Sequence, residues 1–171
     1  MPTMLRRDVT RFLLIVLATL TSVGSANVMA DNTAWTRISV FWNNGSLPPP
    51  HRRSGSLVLE ANGQGTQSLV QGYHVDAAST TKQDFVVAAA KLAALSEQLR
   101  KLKAFSTRWQ ALEPHPVGGS MRWLRIETAS GVIEIPPFPI AKQRERAAEI
   151  IAAVKAVVPA LNASEMTIDA D

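Results

Sequence analysis

The chain has 171 residues, a formal net charge of +4 and no cysteine. Without cysteine there are no disulfides, no thiolate metal ligands, no cysteine nucleophile and no lipobox for lipid attachment. Hydrophobic residues make up 46% of the chain, enough to build one sizeable core.

The N-terminus reads as an export signal. Arg6, Arg7 and Arg11 stand against the single Asp8, and the apolar run FLLIVLATLTSVG follows with the length of a secretory core segment. Val28 and Ala30 fill the small-residue positions of a cleavage site. This predicts cleavage before Asp31 and a periplasmic or secreted protein. A spanning helix needs about 20 apolar residues, and Thr19, Thr21, Ser22 and Gly24 interrupt this run. No stable membrane insertion is expected after cleavage. Losing residues 1–30 removes three arginines and one aspartate, so 15 basic and 13 acidic residues remain, a net +2. No lysine–arginine block is left to track a phosphate backbone, and nucleic acid is not an expected partner. The remainder divides into one domain, 31–160, and a C-terminal tail, 161–171, with little to bury and expected to be loosely held.

Trp35 to Trp42 alternates as a strand. Ile38, Val40 and Trp42 share one face, and Trp35, Arg37, Ser39 and Phe41 share the other. Strand character resumes at Leu57, Val58 and Leu59 and stops at the turn-forming Asn62-Gly63. A weaker third strand spans Thr66 to Val70 and ends at Gly72. A helix is expected from about Lys82 to Lys103. Thr81 and Asp84 resemble a capping box at its start. Phe85, Ala88, Leu92, Leu95, Leu99 and Leu102 form its apolar stripe. Arg100, Lys101 and Lys103 complement the dipole at its end.

STRWQALEPHPVGG is a connecting loop, after which MRWLRIET and VIEI predict a hairpin around Ala129-Ser130-Gly131. Trp123, Arg125 and Glu127 share one face of it, and Leu124 and Ile126 the other. Pro136, Pro137 and Pro139 lack amide donors and are expected to stop strand pairing. A second helix runs from about Ala141 to Val158, with Ala147, Ile150, Ile151, Val154 and Val158 as its buried stripe and Pro159 after it. The order predicts an α+β domain: a mainly antiparallel sheet of four to five strands with two helices packed on one face.

Catalytic chemistry is thinly represented. His51, His74 and His115 fall in different loops or strand ends, without the close pairing usual in zinc sites. Ser120 follows Gly118-Gly119 rather than sitting in a G-x-S-x-G elbow, with His115 five residues before it. Glu127 and Glu134 read as solvated or ion-paired hairpin residues, and no glycine-rich phosphate loop opens either helix. No catalytic residue, metal or cofactor is expected. A hydrolase or metal enzyme using the loop histidines and Ser120 is kept as an alternative.

One stretch stands apart, NNGSLPPPHRRSG from Asn43 to Gly55. Asn43-Asn44-Gly45 favours a turn, and Pro48, Pro49 and Pro50 favour an extended polyproline segment without internal hydrogen bonds. His51, Arg52 and Arg53 supply a cationic end. A stiff, donor-poor strut loses little conformational entropy on docking, which makes these six residues a candidate interaction loop. The other reading is that prolines and charges blunt a sheet edge against aggregation.

NNGSLPPPHRR, VGGSMRWLRIE and the closing AVVP resemble a group of small exported bacterial proteins of unassigned function. The hairpin–helix–hairpin–helix order is similar to that of emfourin-type inhibitors of thermolysin-like peptidases. That resemblance implies a peptidase inhibitor, and no inhibitory residue carries over by motif. The reading that follows is an exported, non-enzymatic binding domain whose partner is another exported or periplasmic protein, with a peptidase inhibitor as an alternative.

Overall fold

Alternation in the first strand sets the sheet. In a computed structural model, which describes residues 34–160, β1 (Trp35–Asn43) turns Ile38, Val40 and Trp42 into the core. The export signal over 1–30, its cleavage before Asp31 and the tail over 161–171 lie outside the described residues. β2 (Arg53–Glu60), β3 (Gln64–Gln71) and β4 (Thr80–Val86) follow as an antiparallel meander. Helix α1 (Ala89–Lys101) leads to the hairpin β5 (Met121–Thr128) and β6 (Gly131–Ile135), and α2 (Ala141–Val157) closes the domain. The architecture is α+β: a six-stranded antiparallel sheet in the order β4-β3-β2-β1-β5-β6. The core lies between one face of the sheet and both helices. Leu95 and Leu99 of α1 and Ile150 and Val154 of α2 join Ile38, Val40, Leu57, Leu59, Leu124 and Ile126 there.

Two sequence expectations fail at the start of α1. The sheet has six strands rather than four or five, and the helix begins seven residues later than the stripe implied. Residues 80–86 form β4 because β3 offers a free edge and Phe85 satisfies either periodicity. As a strand residue Phe85 is buried and its ring lies over Gly65, its cross-strand partner. Asp84 makes no capping box with Thr81 and instead accepts a hydrogen bond from the Thr66 hydroxyl at 2.6 Å. The actual N-cap of α1 is Ala88, which has no side-chain hydrogen bond.

Trp35 lies on the opposite face from the one its alternation predicts. The register with β5 shifts between Trp35 and Arg37, and this bulge turns the indole into the core. There it donates to the Ser96 hydroxyl of α1 at 2.9 Å. The prolines after β6 do not end all pairing either. The Phe138 carbonyl accepts from the Leu112 amide at 2.7 Å, and the Ile140 amide donates to the Gln110 carbonyl at 3.1 Å. Only the proline nitrogens are unable to donate; the residues between and after them still pair.

Helix α1 stops in a Schellman motif that no glycine announces. Leu102 is the C-cap, and Lys103 next to it adopts φ 56°. The Lys103 amide returns to the Arg100 carbonyl and the Ala104 amide to that of Leu99, both at 2.9 Å. Ala104 is fully buried beneath this turn.

Candidate functional site

The meander makes the two ends of the sheet unequal. At one end the connections are tight: residues 61–63, 87–88 and 129–130. At the other end lie the three long ones, 44–52, 72–79 and 102–120, and all three reach the same rim because each leaves or enters a strand there. That rim is the candidate site.

Polar side chains at the root of the first loop hold its shape. The Asn43 Oδ1, buried on the last row of β1, accepts from the Gly45 amide at 3.0 Å and from Arg52 at 3.3 Å. Asn44 spans the loop, its amide group donating to the His51 carbonyl and its oxygen accepting from the Arg53 amide, each at 2.8 Å. Arg52 also donates to the Gly45 carbonyl. Gly45 has φ 90°, and a Cβ there would stand 2.7 Å from the Gly119 carbonyl oxygen, so glycine permits the close approach of the first and third loops.

The second loop is locked by a reciprocal pair. The Ser79 amide donates to the Asp76 carboxylate at 2.8 Å, and the Asp76 amide donates to the Ser79 hydroxyl at 3.3 Å. Hydrogen bonds from the Ser79 side chain, and then from its amide, hold the Asp76 carboxyl below the usual carboxylate range. The first two loops are joined as well. The Tyr73 hydroxyl donates to the Leu47 carbonyl and the Gly72 amide to the Arg52 carbonyl, both at 2.8 Å. The Arg52 guanidinium lies over the Tyr73 ring, 5.2 Å from its centroid.

These contacts divide the six candidate residues. Pro48, Pro49, Pro50 and His51 are exposed at the tip. Arg52 is half-buried and engaged within the loops, and Arg53 is the first residue of β2, paired with Gln71. The expected extended polyproline segment is not what forms. The Pro48 carbonyl accepts from the His51 and Arg52 amides, both at 2.9 Å, and the triplet ends in a turn. The edge-blunting reading also fails, because this loop joins β1 to β2 in the middle of the sheet while the edges are β4 and β6.

Apolar side chains missed in the sequence complete the rim. Seven large hydrophobic residues are exposed among the described residues, and Leu47, Tyr73, Val75 and Val117 all belong to these loops. Val75 is 80% exposed and Val117 fully so. The signal was present as large apolar residues inside turn-rich stretches, where no core is available to receive them.

The three histidines also fall in these three loops. Among the described residues, however, no group of three His, Asp or Glu side chains could hold a metal ion. His115 and Ser120 are both exposed on the third loop. No described helix is long and apolar enough to cross a membrane. In comparisons with known proteins, no family model matches this chain and no curated protein matches its sequence.

Proposed function

We propose that the chain is a non-enzymatic binding domain that works outside the cytoplasm and takes a protein partner on the loop rim. The observation that carries this is the gathering of Leu47, Tyr73, Val75 and Val117 on one end of the sheet. Scattered exposed apolar residues are ordinary, but a cluster in three tied loops favours a contact surface. The first two loops, already fixed by hydrogen bonds, lose little entropy on docking, so more of the contact energy is left for affinity. Export is supported by the basic, apolar and small-residue sequence of residues 1–30.

The test pairs capture with variants that leave the fold alone. Val75→Asp and Val117→Asp alter the two most exposed apolar side chains and should melt like the parent. A periplasmic or secreted protein captured by the parent should be lost from both variants. A partner held equally by both overturns the loop-rim reading, and a product retaining residues 1–30 in the membrane fraction overturns the export reading. The exposed Pro48–His51 tip on a rigid base also fits a peptidase cleft. Inhibition of a thermolysin-like peptidase, lost in Pro48→Gly/Pro49→Gly/Pro50→Gly, would specify that partner class.

A further inference from the structure

Away from the loop tips, under α2, the covered face of the sheet carries a groove of about 230 Å³. One wall is the proline segment after β6, with Pro136, Pro137 and Pro139. The other is a single stripe of α2, where Arg144, Ala148, Ile151 and Lys155 recur at helical spacing. The groove stays open because Ala147, Ala148 and Ala152 end at Cβ and cannot reach the proline rings. Its floor includes Arg122 of β5, the cross-strand partner of Trp42 on the core-facing side.

Three cations line this groove, and no carboxylate does among the described residues. The ion pairs of the described residues lie elsewhere, at Arg37–Glu60, Arg100–Glu97 and Arg125 with Glu127 and Glu134. The Arg122 Nε is buried and has no hydrogen-bond partner among the described residues. A buried guanidinium N–H without an acceptor is an unfavourable arrangement that needs a cause. Burial lowers the Lys155 pKa, and the Arg122 charge lowers it further. An incoming anion would offset the like charges of Lys155 and Arg122, which stand close enough to lower the Lys155 pKa.

We propose that this groove binds a small organic anion. Its oxyanion headgroup, a carboxylate or a phosphate, sits between Arg122 and Lys155. Its short apolar body lies along Ile151 and the proline rings towards Arg144. A guanidinium beside an ammonium matches an oxyanion in charge and in donor geometry. The helix rise of about 1.5 Å per residue puts Arg144 roughly 16 Å from Lys155 along the axis, which sets the length available. The volume is below that of pockets for drug-sized ligands, roughly 300–1,000 Å³, and suits a short chain. The groove shares no lining residue with the loop rim.

The test is an NMR titration of the purified protein with octanoate, octyl phosphate and inorganic phosphate, following the Arg122 side chain and the amides of 151–155. Either octyl anion should shift these signals saturably, and the stronger of the two assigns the headgroup. Lys155→Met should weaken that binding by about tenfold or more, as expected for a charge-assisted contact. Ala152→Leu, at an exposed helical position where leucine is nearly as good a helix former as alanine, should block the octyl anions while inorganic phosphate still moves the Arg122 signal. Because it leaves all three cations in place, this second variant tests the groove even if Lys155→Met folds poorly. No shift with either octyl anion, a response to inorganic phosphate alone, or equal octyl binding in parent and Ala152→Leu would overturn the proposal.

Discussion

The two faces of the sheet are built from alternate residues of the same strands and are held by different chemistry. The covered face is mainly aliphatic, and two of its aromatic rings lie over glycine, Trp42 over Gly55 and Phe85 over Gly65, while Trp35 enters at the bulge. The bare face, with no helix against it, is a mosaic. Arg37 lies between Glu60 and Glu127, Ser56 meets Ser68 at 2.9 Å, and Phe41 stacks on Trp123 with centroids 5.2 Å apart. One face is specified by volume and the other by pairwise contacts that tolerate water. Substitutions should therefore cost much more on the first than on the second.

The largest effect should come from the middle of α1. Leu95 and Leu99 are essentially fully buried, and Leu95→Ala or Leu99→Ala should each cost about 2–5 kcal/mol. That is a large share of a total stability of about 5–15 kcal/mol. Urea titration checks it, and midpoints unchanged from the parent would erase the contrast between the faces.

Next comes Gly65→Ala, whose new methyl would collide with the Phe85 ring. The expected loss is about 1–3 kcal/mol, as for other overpacked sites. The double variant with Phe85→Leu should recover part of it if the ring is the obstacle. Full additivity would place the strain elsewhere.

Trp123→Ala sharpens the comparison from the other side. Losing the stack on Phe41 should remove about 0.5–1.5 kcal/mol beyond the area lost. A loss matching Leu99→Ala would mean that the bare face is structural in the same sense as the covered one. Smallest of all should be Arg37→Gln, which breaks a half-exposed ion pair at 2.7 Å. Exposed pairs contribute little and are screened by salt, so any difference from the parent should vanish at about 1 M ionic strength.

The face assignment was legible wherever a strand keeps strict alternation. In β5, Trp123, Arg125 and Glu127 point away from the helices while Leu124 and Ile126 are buried, as their order indicates. The stripe of α2 was legible for the same reason, with Ala147, Ile150, Ile151 and Val154 all buried, while Val158 is the extended C-cap past the helix and only half-buried. Illegible features depended on something outside their own window. The bulge at Thr36 is visible only in pairing with a strand some ninety residues later. Phe85 reads as helix or strand until β3 is beside it. Lys103 in a left-handed conformation has no sequence signature, because the buried Ala104 and two returning amides impose it. The loop rim was half legible: Pro48 to His51 were singled out, but Tyr73, Val75 and Val117 belong with them only once the strand order folds three loops to one end.

The position of β1 has a kinetic consequence. It is the first strand of the described residues, yet it lies inside the sheet, bonded on one side to the adjacent β2 and on the other to β5. The four-strand meander can zip through local hairpins, whereas Arg37 must wait for Glu127, ninety residues away. Such distant closure is slow compared with hairpin formation. Until Met121–Thr128 arrives, the free side of β1 is an unpaired strand edge bearing Phe41 and Trp42, open to pairing with another copy of the same half-folded chain.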